Sequence, residues 1–208
     1  MIALVDYGAG NLRSVQNALE TLGVGSAIAT TPAELSRAGA IIFPGVGAAA
    51  PAMASLRKRK MDRALIDAIE RGTPFLGICL GLQLLFDRSA EDGAACLGVL
   101  EGTVERLRTR EKLPHVGWNT IDGVTSHPVL AGLDGEAMYF THTYVVAPDD
   151  QSVVAAQTTH GVPFVSAIAA GSMAAVQFHP ERSGSAGLKL LENFLRYAHV
   201  AQADHSLP

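Results

Sequence analysis

Short apolar runs alternate with helical patterns through the first 86 residues of the chain. Four mostly apolar runs of strand length predict buried strands at positions 2–5, 26–30, 40–43 and 74–78. Apolar residues at helical spacing predict helices at 11–22, directly after Thr31, at 61–71 and at 80–86. This alternation favours a parallel sheet wrapped by helices.

Capping residues mark several of these helix boundaries. Asn11 has the residue type of an N-cap, and Gly23 has that of a helix stop. Thr31 and Glu34 have capping-box spacing around Pro32, which occupies the first helical position. These local signals predict where the first two helices lie.

The second half of the chain follows a different pattern. From 102 to 178, runs rich in β-branched residues are separated by Gly, Pro and Asp, which predicts several antiparallel strands. A final helix is predicted over about 185–197, with a core face formed by Leu188, Leu191, Phe194 and Leu195. We therefore expect one α/β domain over residues 1–208. Its sheet is predicted to be open and mostly parallel, flanked by helices, with additional antiparallel strands in the second half.

Composition narrows the class of protein. The 208 residues are 48% hydrophobic and 17% charged, against ~25% charged in typical domains, which excludes a disordered chain. The net charge of −4 indicates neither a nucleic-acid partner nor an anionic membrane surface. We expect no signal peptide and no membrane span, and two cysteines are too few for a disulfide framework. A reduced, cytoplasmic protein is the expectation.

The segment 77–81 places Cys79 between two glycines where a buried strand turns into a helix. This is the nucleophile-elbow pattern with a thiol in place of the hydroxyl, and the sharp turn requires glycine because neighbouring backbone comes close. At the start of the helix, free N–H groups favour the thiolate, and the N–H of Leu80 can stabilise an oxyanion. The alternative is a buried structural cysteine beside packing glycines.

His179 and Glu181 supply what a thiolate nucleophile needs. A histidine can move the proton of the nucleophile to the leaving group, and a carboxylate can orient the imidazole. The two residues are two positions apart after a predicted strand, so both side chains lie on one side if the chain is extended. Pro180 favours an extended backbone at His179. The alternative is a loop histidine and a solvated glutamate. With Cys79 also ending a strand, a Cys–His–Glu triad is the better interpretation.

The glycine-rich turn 44–47 ends the third predicted strand at the sheet edge where Cys79 emerges. Its N–H groups could complete an oxyanion hole, or it could be an ordinary turn from strand to helix. Both interpretations stay open at this point.

Other motifs carry less information. Gly8 to Gly10 resembles a dinucleotide fingerprint, but Arg13 occupies the place of the third glycine, so we reject nucleotide binding. The basic run 57–60 is predicted to be a solvated face, with partner docking as the alternative. Cys96 has no glycine or histidine frame and is predicted to be a packed thiol. Histidines with metal-ligand spacing are lacking, so we expect neither a metal ion nor a cofactor.

Three motifs together resemble the class I, or triad-type, glutamine amidotransferases: PGVG at 44–47, GICLGLQLLF at 77–86 and QFHPERSG at 177–184. Members of this family hydrolyse the side-chain amide of glutamine through a cysteinyl thioester and pass the ammonia to a second active site. Longer segments resemble the branch that serves a separate (β/α)8 cyclase in histidine biosynthesis: VDYGAGNLRSVQNALETLG at 5–23, KLPHVGWN at 112–119, YFTHTY at 139–144 and HPERSGSAGLKLLENF at 179–194.

The resemblance implies roles for the residues at matching positions. Cys79 is the nucleophile, His179 the general base and then acid, and Glu181 its orienting partner. The oxyanion and substrate-binding positions are Gly47, Leu80, Gln83, His142, Thr143 and Tyr144. The surface facing the cyclase comprises Asn11, Lys112, Pro114, His115, Trp118 and Asn119. The resemblance thus implies glutamine as substrate and a heterodimer with the cyclase.

Two positions depart from the family pattern. Ala49 stands where we expect an aromatic residue, in an Ala-rich stretch that also carries Pro51, which leaves the packing of this loop against the next helix unspecified. Thr143 stands where serine often follows the histidine, and it retains a hydroxyl. Two other functions stay open: a glutaminase of another synthase or a stand-alone Cys–His–Glu hydrolase, and an inactive scaffold that only binds a partner.

Overall fold

Strand pairing builds a ten-stranded mixed sheet in the computed structural model, which describes residues 1–204 and the side chains through residue 199. The first half supplies strands β1 (Ile2–Val5), β2 (Ser26–Ala29), β3 (Ala40–Gly45) and β4 (Phe75–Cys79). It also supplies helices α1 (Leu12–Thr21), α2 (Pro32–Ser36), α3 (Ala49–Lys58), α4 (Met61–Glu70) and α5 (Leu80–Gln83). The four predicted strands of this half are confirmed.

The second half adds strands and one long helix. The strands are β5 (Arg88–Ser89), β6 (Gly102–Arg106), β7 (His115–Thr120), β8 (Ala137–His142), β9 (Tyr144–Pro148), β10 (Val154–His160), β11 (Val162–Ala170) and β12 (Met173–Val176). Helix α6 (Gly184–Asp204) follows them. Strands β7 and β8 pair antiparallel in a separate two-stranded sheet.

The order of the large sheet joins the two halves of the chain. Strands β2, β1, β3, β4 and β12 are neighbours in that order, and each adjacent pair is parallel. Beyond β12 the sheet continues through β11, β9 and β6 in antiparallel pairs. The predicted open, mostly parallel sheet with added antiparallel strands is therefore confirmed. The strand that closes the parallel part, β12, comes from the far end of the chain.

Helices cover both faces of this sheet. Helices α1 and α6 bury Val15, Leu19, Leu191 and Phe194 on one face. Helices α2, α3 and α4 bury Leu35, Met53, Leu56 and Leu65 on the other. Each layer forms because an amphipathic helix must bury its apolar stripe against the sheet. Within residues 1–204, no helix is both long enough and apolar enough to cross a membrane.

Helix α3 is an element that the sequence pattern did not predict. Its Ala-rich first turn contains Pro51, a residue that usually argues against a helix. Pro51 is tolerated there because the first N–H groups of a helix have no partner within the helix. Ala49 is fully buried at the start of α3, so a methyl group fills the position where an aromatic side chain was expected.

Two predicted elements are shorter or more broken than expected. The helix predicted over 80–86 ends at Gln83, because the carbonyl groups of Leu84, Leu85 and Phe86 accept hydrogen bonds from residues 97–100 instead of continuing the helix. The apolar run 137–147 forms two strands, β8 and β9, that are interrupted at Thr143. This interruption creates the turn that lines the candidate site.

Candidate active site

Cys79 lies at a strained turn between β4 and α5. Its backbone angles are φ 54° and ψ −107°, a left-handed φ that residues other than glycine seldom adopt. Flanking backbone approaches so closely that a methyl group at Gly77 would lie 2.9 Å from Cβ of Ala175, and one at Gly81 would overlap the carbonyl oxygen of Phe43. The two glycines therefore permit the elbow, and the strain presents the thiol at the carboxyl edge of the sheet.

Strand β12 carries His179 to the same edge. Because β12 pairs in parallel with β4, with Val176 opposite Ile78, the residues that follow the two strands emerge side by side. The backbone N–H of His179 donates to the carbonyl of Tyr139 at 2.9 Å, and the Ser183 hydroxyl donates to the carbonyl of His179 at 2.6 Å. These two bonds hold the backbone on both sides of the imidazole.

Glu181 contacts the imidazole from behind. Its Oε1 lies 2.9 Å from Nδ1 of His179, and the side chains of His179 and Glu181 are only 4% and 2% exposed. His179 is extended, as predicted, but residues 180–182 form a 3₁₀ turn that brings the carboxylate back under the ring. The alternative of a solvated glutamate is therefore wrong.

The surroundings of His179 favour its protonated form. Burial lowers its pKa, but the neighbouring Cys79 side chain and the Glu181 carboxylate raise it, and the net result is a pKa raised to about 10. A carboxylate that accepts from Nδ1 leaves Nε2 as the nitrogen available to the thiol side of the site. The imidazole thus holds a proton near neutral pH at the position where an acid catalyst would need it.

A cavity of about 310 Å³ opens in front of these residues. Its walls include Cys79, His179 and all six predicted oxyanion and substrate-binding residues, Gly47, Leu80, Gln83, His142, Thr143 and Tyr144. Three further residues on its walls were not predicted from the sequence: Val46, Glu91 and Thr141. A cavity of this size suits a small metabolite.

The glycine-rich turn 44–47 forms one wall of the cavity. Gly45 ends β3 directly opposite Cys79, and a methyl group there would lie 2.7 Å from Cβ of Leu80 and 2.8 Å from the hydroxyl of Tyr7. Gly47 has a φ of 93°, and both it and Val46 are exposed. Glycine is thus required at 45 by close approach and at 47 by backbone conformation.

A buried amide pair links the cavity wall to the nucleophile. The side-chain nitrogen of Gln83 donates to the carbonyl of Tyr144 at 3.0 Å and to Oε1 of Gln177 at 3.1 Å. The side-chain nitrogen of Gln177, in turn, lies 3.6 Å from Sγ of Cys79. Gln177 is fully buried directly after β12, and the sequence pattern did not single it out although a polar residue within an apolar run is a usable signal.

Glu91 is the one acidic side chain on the cavity wall among the described residues. Burial, followed by the nearby Asp92, raises the pKa of its carboxyl group. The loop that carries it is held because Oδ2 of Asp92 accepts from the N–H of Ala50 at 2.7 Å, at the start of α3. Nothing in the sequence singled out Glu91, because long-range contacts such as this one place its loop at the site.

The predicted partner-facing residues lie mostly on exposed surface. Trp118 on β7 is 58% exposed, and its ring meets the ring of Tyr139 edge-on with centroids 6.1 Å apart. Lys112 and Pro114 are exposed in the preceding loop, and Asn119 is half-buried.

Two of the predicted partner-facing residues lie differently. Asn11 is half-buried and precedes α1, which packs against the turn at residues 180–182. The side chain of His115 is 4% exposed and lies on the inner side of β7, so it is not part of the exposed surface of this chain. Side chains alternate along a strand, so Val116 and Trp118 face outward and His115 cannot.

Two further sequence predictions can be compared with the structure. In the basic run, Nη2 of Arg57 donates to the carbonyl of Ala95 at 2.8 Å and Nη1 of Arg59 to that of Asp6 at 3.1 Å, so half of the run contacts its own chain. Cys96 is 9% exposed, and burial raises the pKa of its thiol to about 11, as suits a packed cysteine. Among residues 1–204, no group of three or more His, Cys, Asp and Glu side chains could hold a metal ion.

Comparisons with known proteins match nearly the whole chain. The family model described as glutamine amidotransferase class-I matches residues 3–198. The imidazole glycerol phosphate synthase subunit HisH of Dehalococcoides mccartyi strain 195 is 47% identical over 200 residues, which covers 95% of this chain and 98% of that protein. The subunit of the same name from Chloroflexus aurantiacus is 44% identical over 208 residues, covering 97% of this chain and 98% of that one.

Solved structures share the fold. A crystal structure described as glutamine amidotransferase superimposes with a TM-score of 0.77 at 23% identity, covering 96% of this chain and 100% of that chain. The PurLQS structure from Thermotoga maritima superimposes with a TM-score of 0.74 at 20% identity, covering 94% and 97% of the two chains.

Proposed function

The chain belongs to the class-I glutamine amidotransferase family, and on this basis we propose that it is the glutaminase subunit of an imidazole glycerol phosphate synthase. It hydrolyses glutamine to glutamate and ammonia and delivers the ammonia to a cyclase. The cyclase uses it to make imidazole glycerol phosphate and aminoimidazole carboxamide ribotide. The observation that carries the proposal is the buried His179–Glu181 pair beside Cys79, on the wall of a cavity of about 310 Å³.

The reaction begins with attack of the Cys79 thiolate on the side-chain amide carbon of glutamine. The carbonyl oxygen becomes an oxyanion, which the backbone N–H of Leu80 and the turn that contains Gly47 stabilise. His179 holds a proton near neutral pH and gives it to the amide nitrogen, which leaves as ammonia. A glutamyl thioester on Cys79 remains.

Water completes the cycle. His179, now neutral, takes a proton from the attacking water, and the resulting tetrahedral intermediate occupies the same oxyanion site. Collapse of the intermediate breaks the bond between carbon and sulfur, releases glutamate and returns the thiolate. Throughout both steps Glu181 orients the imidazole and stabilises its positive charge.

The remaining walls of the cavity suit the amino-acid end of glutamine. Glu91 places a carboxylate at the rim, where it can pair with the α-ammonium group. The chain at Thr143 interrupts two strands on the cavity wall, where a backbone N–H can donate to the α-carboxylate. These contacts would select an amino acid over a simple amide.

A partner surface lies beside the site. Val116 and Trp118 are 57% and 58% exposed on one side of β7, and the Arg182 guanidinium lies 4.3 Å from the centre of the Tyr139 ring. Aromatic residues and arginine are enriched at protein interfaces. Free ammonia becomes ammonium in bulk water, so a cyclase bound at this surface would receive it before protonation. We therefore assign this face to the heterodimer contact.

The test replaces each cysteine in turn in the complex with the cyclase. Cys79→Ala should abolish glutamine-dependent synthesis and leave ammonia-dependent synthesis by the cyclase unchanged, because only the nucleophile is lost. Cys96→Ala removes the other buried thiol and should preserve both activities. Glutamine hydrolysis by the Cys79→Ala complex would contradict the assignment.

The alternative functions give different results in the same assay. A stand-alone hydrolase would release ammonia from glutamine equally well with and without the cyclase. An inactive scaffold would bind the cyclase but leave Cys79 unlabelled by an electrophilic glutamine analogue.

A further inference from the structure

Three histidines that transfer no proton in the proposed mechanism cluster at the cavity wall and behind it. They are His115 on β7, His142 at the end of β8 and His160 at the end of β10. His115 and His142 are 4% and 6% exposed, and the rings of His115 and His160 stack with centroids 4.1 Å apart. Phe140 and Phe164 enclose the group. Polar rings are seldom buried in this way without a specific hydrogen-bonding role.

A continuous chain of hydrogen bonds runs from this cluster to the cavity wall. The side-chain nitrogen of Asn119 lies 3.4 Å from Nε2 of His115, and Nδ1 of His115 lies 3.0 Å from Nε2 of His142. Nδ1 of His142 lies 3.1 Å from the carbonyl oxygen of Tyr144. That carbonyl also accepts the bond from Gln83 described above.

The direction of every bond follows from the two ends of the chain. A carbonyl oxygen can only accept, so Nδ1 of His142 carries a proton, its Nε2 accepts, and Nδ1 of His115 must donate. At the other end, Oδ1 of Asn119 accepts from the N–H of Thr120 at 2.9 Å, which directs the Asn119 amide nitrogen toward His115. Both ends therefore require the same arrangement, with each ring neutral and protonated on Nδ1.

The surroundings keep both rings neutral. Burial lowers the pKa of His142 to about 3, with a further lowering from the nearby His115. Burial and then His160 lower the pKa of His115 to about 4. Both rings thus retain one donor and one acceptor across the physiological range, as the chain requires.

We propose that His115 is a positioning residue for the glutamine site, acting through His142. Its Nδ1–H holds the His142 ring in the orientation whose own Nδ1–H fixes the Tyr144 carbonyl. That carbonyl belongs to the turn at Thr143 on the cavity wall, and it also anchors Gln83. The inference rests on the proposed glutaminase function, because it concerns where glutamine binds within the same cavity.

Two variants of His115 separate its hydrogen bond from its packing. His115→Phe keeps an aromatic ring between Phe140 and His160 but removes the donor to His142. His115→Asn loses the ring but places an amide donor where Nδ1 stands. In the complex with the cyclase, His115→Phe should raise KM for glutamine about tenfold with little change in kcat, because a buried acceptor loses its partner. His115→Asn should restore KM to within about threefold of the wild-type value.

The outcomes are distinct. Three results would overturn the positioning role. They are a wild-type KM for glutamine in both variants, an equal rise in KM in both, and a larger rise in KM in His115→Asn than in His115→Phe. Both variants should bind the cyclase and keep the wild-type circular dichroism spectrum, and loss of either property would overturn the role by revealing general misfolding. Failure of the wild-type complex to hydrolyse glutamine would instead refute the proposed function.

A spectroscopic test is independent of any activity. Nitrogen NMR of the ring atoms should show the proton on Nδ1 in both His115 and His142 of the wild-type chain. A proton on Nε2 of His142 would contradict the hydrogen-bond chain and with it the proposal.

Discussion

Replacing Glu181 by glutamine should test the charge beneath His179 without changing the shape of the site. Oε1 of Glu181 accepts from Nδ1 of His179 at 2.9 Å, and a glutamine amide oxygen can accept the same bond. Among the described residues, Oε2 of Glu181 has no hydrogen-bond partner, so an amide nitrogen there displaces no existing contact. The substitution therefore removes one negative charge and little else.

The size of the effect follows from the separation of the two charges. Unit charges about 4 Å apart at an effective dielectric constant of about 20 interact by about 4 kcal/mol. Without the carboxylate, the protonated ring of His179 costs up to this energy to form, and the acid step requires the protonated ring. A loss of about 4 kcal/mol corresponds to a fall of about 10³-fold in kcat/KM.

The pH dependence has a defined sign. Burial lowers the pKa of His179, whereas Cys79 and Glu181 raise it, to about 10 in the wild-type protein. The pKa of His179 is higher in the folded protein than its ordinary value of about 6.5, so protonation of the ring stabilises the folded state. This contribution to the free energy of unfolding is complete below about pH 6.5 and is lost as the pH rises through about 10. In Glu181→Gln the pKa of His179 should fall, so this loss should occur at lower pH.

The assay is glutaminase kinetics of the complex between pH 6 and 10, together with an NMR titration of the His179 ring. The matched control is Glu192→Gln, which makes the same change in a surface ion pair. Glu192 pairs with Arg196, and the Glu192 side chain is 46% exposed. Exposed pairs contribute less than about 1 kcal/mol, so this variant should retain wild-type activity. Activity of Glu181→Gln within tenfold of wild type, or an unchanged titration of His179, would refute the reasoning.

Two further predictions concern the elbow and the partner surface. Gly81→Ala should lower the free energy of unfolding by about 1–3 kcal/mol in a denaturant titration, because the new methyl group overlaps the Phe43 carbonyl. Gly25→Ala is the control: its methyl group has open space, so the free energy of unfolding should change by less than about 1 kcal/mol. Trp118→Ala should weaken cyclase binding about 30-fold in calorimetry. Ile28 is also an exposed apolar residue, on the edge strand β2, and Ile28→Ala should leave the affinity unchanged. Equal affinities of the two variants would place the interface elsewhere.

Local chemistry explains why much of the first half was predictable. The capping box at Thr31 and Glu34 forms as its spacing predicts, with Oε2 of Glu34 accepting from the Thr31 N–H at 2.9 Å. Gly23 adopts the left-handed conformation of a helix stop, with a φ of 74°. Helix α3 was missed because Pro51 is a helix breaker in general and harmless only in the first turn.

The nucleophile was predictable for a similar reason. The spacing of Gly77, Cys79 and Gly81 indicates a strained elbow, since only glycine lets neighbouring backbone approach so closely. The residues near His179 had no such local signature. Their role could be inferred only from resemblance and from the expectation that two strands end at one sheet edge.

Tertiary structure decided which distant residues share the site. Parallel pairing of β12 with β4 is a choice among many possible strand partners, and it brings His179 beside Cys79 across 100 positions of sequence. The loop contact between Asp92 and Ala50 brings Glu91 to the cavity, and strand alternation turns His115 inward while Trp118 faces outward. By itself the sequence determined most of the elements, the elbow and the triad candidates, because caps, turns and periodicity act within a few residues. The assembled cavity and the charge on His179 depended on the folded structure, because hydrogen-bond partners and burial are set by contacts between distant segments.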